Sequence, residues 1–230
     1  MKRIFNRIFN ILLISIAIIG MLTFIISTYF ADDIENAVLE KIQANITVPL
    51  QVENVEFTIY DNFPSASVKF NNLLIAEDLD FGEDTLLYAK TAYIDISLSE
   101  MIDNNFSITK VIISNGRLNI KFNEENKPNY LIDKENSNKK SKVEIEEIVI
   151  LNSDVLVENL STKFNMNLET ERAIIELNQL NIQLQTSAFS KNLTIGKVDY
   201  LDNKNINIKA NLIVKKDTIE ILKSELKIEE

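Results

Sequence analysis

The chain has 230 residues, a formal net charge of −10, and no cysteine, histidine or tryptophan. This composition excludes disulfides, thiolate nucleophiles and imidazole bases, and its acidity disfavours a nucleic-acid partner, because proteins that bind phosphate backbones concentrate Lys and Arg. The sequence also lacks the motifs G-x-x-x-x-G-K-[ST], G-x-G-x-x-G and G-x-S-x-G. We therefore expect a protein that is not an enzyme and that needs no cofactor and no metal.

The first predicted element is a membrane anchor. Residues 8–30 form an uncharged apolar stretch of 23 residues, which as a helix would be about 35 Å long and could cross a hydrocarbon core of about 30 Å. Basic residues precede the stretch and acidic residues follow it, namely Lys2, Arg3 and Arg7, then Asp32, Asp33 and Glu35. The positive-inside rule then places residues 1–31 as a cytoplasmic tip and single-pass anchor, with the rest outside the cytoplasm. A cleaved signal peptide fits less well, because its apolar region is shorter.

After the anchor, the apolar spacing changes from that of a helix to that of strands. Ile34, Val38 and Ile42 recur every four residues and predict a short amphipathic helix over Asp32 to Ala44. From Thr47 onward the period is two, with a phase slip between Val52 and Val55 that indicates a bulge or turn. Further alternating runs follow, and they begin at Ala66, Ile94, Ile108, Leu118, Val143, Val155, Phe164, Leu180, Leu193, Ile206 and Leu226. About a dozen strands are thus predicted.

Turn-forming residues separate some of these runs. Asn115-Gly116 lies between two apolar runs and predicts a two-residue hairpin, because Gly tolerates positive φ. Residues 133–142, DKENSNKKSK, have no apolar period and predict an exposed loop between β-regions 32–132 and 143–230. The acidic run from Glu77 to Asp84 lacks the EF-hand spacing, so we interpret it as a solvated loop rather than a calcium site.

Strands with one apolar and one polar face must bury the apolar face. A second sheet could cover it in an antiparallel sandwich, or lipid could cover it if the strands form an open trough. The alternation alone is compatible with both. Physical chemistry by itself favours the sandwich, because large exposed apolar surfaces are rare without a ligand.

The order of these segments resembles the amino-terminal part of AsmA family proteins, particularly those of Bacteroidota. The resemblance lies in the anchor, in LEKIQANI, and in the segments Val52 to Glu77, Asp84 to Ile102 and Ile108 to Ile132. The last segment resembles the family's repeated unit of strand, turn and strand that ends in an asparagine-aromatic pair. Beyond Ile132 only the strand pattern agrees.

The resemblance implies a relative of chorein-type bridge-like lipid transfer proteins, with a long curved antiparallel sheet that forms an open β-groove. It implies a single-pass inner-membrane protein with a periplasmic domain, which binds phospholipid and supports lipid transport to, and assembly of, the outer membrane. Envelope proteins are further candidate partners. The expected groove residues, which would contact acyl chains, are Val55, Phe57, Ile59, Val68, Phe70, Ile94, Ile96, Leu118, Ile120 and Phe122. The alternative function is a membrane-anchored, non-enzymatic scaffold or assembly factor with a dry core that binds another envelope protein.

Overall fold

The computed structural model describes residues 14, 20–21, 31–58, 66–82, 84–96, 108–132, 145–215 and 218–229. Helix α1 spans Ala31–Asn45, which confirms the predicted amphipathic helix. The strands are β1 Leu50–Gln51, β2 Asn54–Thr58, β3 Ala66–Ala76, β4 Thr85–Ile96, β5 Ile108–Phe122, β6 Glu147–Asn159, β7 Phe164–Asn178, β8 Asn181–Ile195, β9 Val198–Asp199, β10 Lys204–Lys215 and β11 Thr218–Glu229. A short 3-10 helix, Leu79–Phe81, joins β3 to β4.

The predicted anchor and the predicted loop at 133–142 lie almost entirely outside the described residues. Within the described part of the chain, no helix is long and apolar enough to cross a membrane.

All eleven described strands belong to one open sheet, in the order β1, β3, β4, β5, β6, β7, β8, β10 and β11. Strand β2 also pairs with β3, beyond the break that the phase slip predicted, and β9 pairs with the end of β8. The mainly β prediction is therefore confirmed. The alternative of two facing sheets does not occur among the described strands.

The prediction of an antiparallel sheet is wrong at one place, the pair β5 and β6. These strands run parallel, with Val111 opposite Ile148 and Ile120 opposite Val157. A parallel neighbour requires the chain to return to the start of the previous strand. Of the residues between the two strands, the structure describes 123–132 and 145–146, which we call the return segment, and the Glu146 N–H donates to the Thr109 carbonyl at 2.9 Å. The sheet is therefore mixed.

The predicted hairpin at Asn115-Gly116 is also wrong, because both residues lie inside the continuous strand β5. Asn115 has a φ of 54°, and Asn72 in β3 and Asn152 in β6 have φ values of 51° and 46°. Each of these residues changes the phase of the alternation in its strand, and the flanking cross-strand pairs place them level with one another, with no register shift. We call this line across the sheet, formed by Asn72, Lys90, Asn115, Asn152 and Glu171, the crease.

The crease keeps the apolar side chains on one face. In β3 the apolar positions are Val68 and Phe70 before the crease but Leu73 and Ile75 after it. The residue at the crease changes the phase of the alternation, and a strand that lacked it would point its second half to the other face. Asn adopts the left-handed backbone conformation more readily than most residues with a side chain. The Asn115-Gly116 pair that we interpreted as a hairpin is therefore a change of phase inside a continuous strand.

Helix α1 packs on the apolar face at the β2–β3 edge. Val38 is only 5% exposed and belongs to a buried cluster with Phe57, Val68 and Phe70. The Glu35 carboxylate accepts a hydrogen bond from the Phe57 backbone N–H at 2.7 Å. Burial of the apolar stripe and this hydrogen bond explain why α1 is fixed on the first strands of the sheet.

Candidate functional site

Cross-strand pairing joins the apolar side chains into ladders that run across the sheet. One ladder crosses nine strands with apolar residues at eight of its nine positions. Its members are Val55, Phe70, Ala92, Ile113, Ile150, Ala173, Thr186, Ile208 and Leu226. On the other side of the crease, a second ladder links Ile120, Val157, Met166 and Leu193. We call the surface formed by these ladders the apolar face.

The two halves of the apolar face have different surroundings. Over β2 to β5, α1 and Ile145 of the return segment pack against the face, and Phe70 is 1% exposed. Over β6 to β11, no described helix or second sheet lies across it, since α1 contacts β2 and β3. There Val155, Met166 and Ile208 remain half-buried, next to a small cluster under Leu201.

The structure divides the ten residues predicted from the sequence into two groups. Six belong to the apolar cluster that also contains Val38 of α1, where they contact other side chains of this chain: Val55, Phe57, Val68, Phe70, Ile94 and Ile96. Leu118, Ile120 and Phe122 lie on the same face beyond the crease and are half-buried. Ile59 lies outside the described residues. Whether any of the ten contacts an acyl chain stays a prediction.

Sequence reasoning did not select the half-buried residues of β6 to β10. These are Val155, Val157, Met166, Leu193 and Ile208. Their period-two alternation is visible in the sequence, but they lie beyond Ile132, where the family resemblance becomes generic. The cross-strand pairs show that they continue the ladders of β5, which the alternation within one strand does not reveal.

The opposite face carries an apolar row of Tyr93, Ile112, Val149 and Ile174 on one side of the crease and is polar, with ion pairs, on the other. Lys191 Nζ lies 2.7 Å from Asp154 Oδ1 and 3.6 Å from Glu169 Oε2, and Arg117 Nη2 lies 3.9 Å from Asp154 Oδ2. The hydrogen bond to Asp154 raises the pKa of Lys191. A concavity of about 690 Å³ beside these residues has a mainly polar lining. It offers little of the apolar contact that an acyl chain needs.

A buried ion pair between Glu77 and Lys121 corrects the prediction of a solvated loop for Glu77, whereas Asp80 and Asp84 of the same acidic run are exposed, as predicted. Glu77 is 2% exposed, and its Oε2 lies 3.1 Å from Lys121 Nζ. The fully buried Asn129 donates from Nδ2 to Glu77 Oε2 at 3.3 Å, while its Oδ1 accepts from the Lys121 N–H at 3.0 Å. Among the described residues, no group of three or more acidic side chains is arranged to hold a metal ion.

The charged groups around Lys121 shift one another's pKa values. Burial lowers the pKa of Lys121, but hydrogen bonds to Glu77 and Asp84 outweigh that effect, and the pKa is raised overall. The hydrogen bond from the Thr85 N–H, followed by that from Lys121, lowers the pKa of the Asp84 carboxyl. Both shifts favour the charged forms. The cluster therefore fixes the return segment to the start of β4, and we assign it a structural role.

Comparisons with known proteins give no identification of the chain. No protein-family model matches it, and no curated protein matches it. The apolar face of the open sheet is the candidate site that the described residues support best.

Proposed function

We propose that this chain is an inner-membrane-anchored periplasmic protein that binds phospholipid on its apolar face. In this role it supports lipid transport to, and assembly of, the outer membrane. The observation that carries the proposal is the row of half-buried apolar side chains on β6 to β10, which lies beside the small buried cluster around Leu201 and which no described helix or second sheet covers. Large apolar surfaces of this kind mark binding sites for lipid or protein.

Three features support lipid as the ligand. The ladders are continuous across neighbouring strands, so an acyl chain could lie across several of them. Residues 8–30 predict an anchor that would hold the sheet next to a source of phospholipid. The order of segments up to Ile132 resembles a family that carries lipid in a β-groove. In this proposal the acyl contacts are made by Val157, Met166, Leu193, Ile208 and their ladder neighbours.

Site-specific photo-crosslinking in cells tests this proposal on the full chain. A benzophenone amino acid replaces Met166 on the apolar face, and in a matched control it replaces the adjacent Asn167 on the polar face. After irradiation, mass spectrometry of the purified protein should find a phospholipid adduct at position 166 and none at 167. Equal labelling at the two positions, or no adduct at position 166, would refute the proposed lipid contact.

A second candidate function is favoured by a different observation. Side chains of α1 pack against the half of the apolar face over β2 to β5. This half is therefore buried without a ligand, as in a dry core. This arrangement suits a membrane-anchored scaffold that binds another envelope protein. The same crosslinking distinguishes the two functions, because a scaffold would give protein adducts at position 166 in place of lipid.

A further inference from the structure

Four large apolar residues are exposed together at one end of the sheet. Leu160 lies in the β6–β7 turn, and Ile195, Val198 and Tyr200 lie where the chain passes from β8 through β9 towards β10. They are 52%, 43%, 53% and 60% exposed, respectively. Groups of large apolar residues that remain exposed mark surfaces that bind a membrane or another protein. We call these four residues the tip.

A backbone contact joins the two turns that form the tip. The Gly196 N–H donates to the Lys163 carbonyl at 2.9 Å, and Lys163 ends the turn that Leu160 begins. Ile195 and Val198 lie opposite each other where β8 pairs with β9. The four apolar residues therefore belong to adjacent turns of one surface and are not scattered singly over the molecule.

The tip continues the apolar face. Ile195 lies opposite Phe164, the first residue of β7. The Tyr200 N–H donates to the Leu193 carbonyl at 2.9 Å, and Leu193 packs against the buried cluster that contains Leu201. Since Leu193 belongs to the second ladder, the tip forms the end of the apolar face at the β6–β7 and β8–β9 turns.

The turns of the tip are basic, although the chain as a whole has a net charge of −10. Residues 160–163 and 195–198 include Lys163 and Lys197 and no acidic residue, and both lysines are exposed. Tyr200 carries an amphipathic ring of the kind that is enriched at membrane–water interfaces. Exposed apolar side chains next to lysines are typical of surfaces that enter the headgroup region of an anionic bilayer. This combination favours a lipid surface over a protein partner.

We propose that the tip docks on an anionic phospholipid bilayer. The apolar side chains of the tip enter the headgroup region, the Tyr200 hydroxyl stays on its polar side, and Lys163 and Lys197 contact the anionic headgroups. Because Ile195 continues the apolar face, the same contact brings that face to a source of phospholipid. The docking surface stands independently of lipid binding on the apolar face, because it rests on the exposed turns alone.

Tryptophan fluorescence tests the insertion of the tip. The chain has no tryptophan, so Tyr200→Trp supplies a single reporter at the tip. Leu180→Trp is the matched control, at a 60% exposed position of the β7–β8 turn at the opposite end of the strands. The full chain is held in a nonionic amphipol and mixed with vesicles of phosphatidylethanolamine and phosphatidylglycerol. The emission of Tyr200→Trp should shift to shorter wavelength, and brominated acyl chains should quench it at least fivefold more than that of Leu180→Trp.

Flotation with the same vesicles tests the lysines. The double variant Lys163→Glu/Lys197→Glu should reduce the fraction of the full chain that floats at least fivefold. The control Lys209→Glu/Lys223→Glu makes the same change of charge at exposed positions of β10 and β11, and it should float like the wild-type protein. All these proteins keep residues 1–31 unchanged, so a difference between the two double variants reports on the tip.

Three results would overturn the proposal. The first is equal quenching of Tyr200→Trp and Leu180→Trp, and the second is equal flotation of the two double variants. The third is a Tyr200→Trp shift that follows protein concentration without vesicles, because it would assign the tip to a second copy of the chain. A phospholipid adduct at position 166 together with any of these results would refute docking by the tip and leave the lipid contact on the apolar face intact.

Discussion

At the scale of single residues, the Glu77 carboxylate depends on Lys121. The Glu77 side chain is fully buried, whereas that of Lys121 is 19% exposed. Removal of one partner from such a pair leaves an uncompensated charge in a poorly solvated place. We expect Lys121→Met to lower the free energy of unfolding by about 3 kcal/mol in urea titrations. The double variant Glu77→Gln/Lys121→Met should recover part of that loss.

The control for this prediction is Lys127→Met. Lys127 pairs with Asp80 at 2.7 Å, but both side chains are exposed. Solvent screens such pairs strongly. The urea midpoint of Lys127→Met should therefore match that of the wild-type protein, and an equal loss in the two lysine variants would contradict a special role for burial.

The pH dependence of stability follows from the same cluster. The pKa of Asp84 is lowered from its ordinary value of 3.8, so its contribution is present above pH 3.8 and is lost as the pH falls through the folded-state pKa. The pKa of Lys121 is raised from 10.5, so its contribution is present below pH 10.5 and is lost above the raised value. Thermal unfolding should show that the effect of Asp84→Asn is constant near neutral pH and disappears below pH 3.8. An effect that grows in acid would contradict the sign of this shift.

The sequence did not reveal this cluster, for a physical reason. Glu77 belongs to a run of five acidic residues, and such a run is usually solvated. Its partner Lys121 lies 44 residues further along the chain. Only the pairing of β3 with β4 and of β4 with β5 brings the two side chains together.

At the scale of elements, the crease requires a left-handed backbone conformation at residues whose side chains are exposed. Asn152 has a φ of 46° and an exposed side chain, so its substitution removes no buried contact. A β-branched residue fits this left-handed conformation poorly, whereas Gly fits it well. We expect Asn152→Val to lower the free energy of unfolding by about 1–2 kcal/mol and Asn152→Gly to be nearly neutral. Equal urea midpoints for the two variants would show that the crease does not constrain the backbone.

The crease also explains why Asn115-Gly116 was misread. The pair Asn-Gly suits a two-residue hairpin because it tolerates positive φ, but a change of phase inside a continuous strand uses the same property. Position 116 also requires Gly for a second reason, because a Cβ there would clash with the Tyr88 carbonyl oxygen. Local sequence defines the backbone conformation at this place. Whether the chain reverses depends on pairing with β4 and β6, which lie far away in sequence.

At the scale of the whole molecule, alternation predicted the strands well but not which side chains α1 covers. Phe57 and Met166 both follow the same period-two pattern. Phe57 lies beneath Val38 of α1, whereas Met166 lies on the half of the face that no described helix covers. The position of α1 depends on a contact between the helix and an edge strand, and the pattern within each strand carries no information about it.

Substitutions at Phe57 and Met166 can distinguish the lipid site expected from the sequence, which includes Phe57, from the site proposed from the structure, which includes Met166. Phe57→Glu buries a charge beneath α1 and should lower the free energy of unfolding by at least about 3 kcal/mol. Met166 is half-buried beside the Leu201 cluster, so Met166→Glu should lower the melting temperature less than Phe57→Glu does and should lose most of the phospholipid that native mass spectrometry detects on the full chain. Asn167→Glu, which adds the same charge to the polar face, should keep both the melting temperature and the phospholipid. If Phe57→Glu retained its melting temperature and lost phospholipid, the lipid site would lie beneath α1, where the sequence alone placed it.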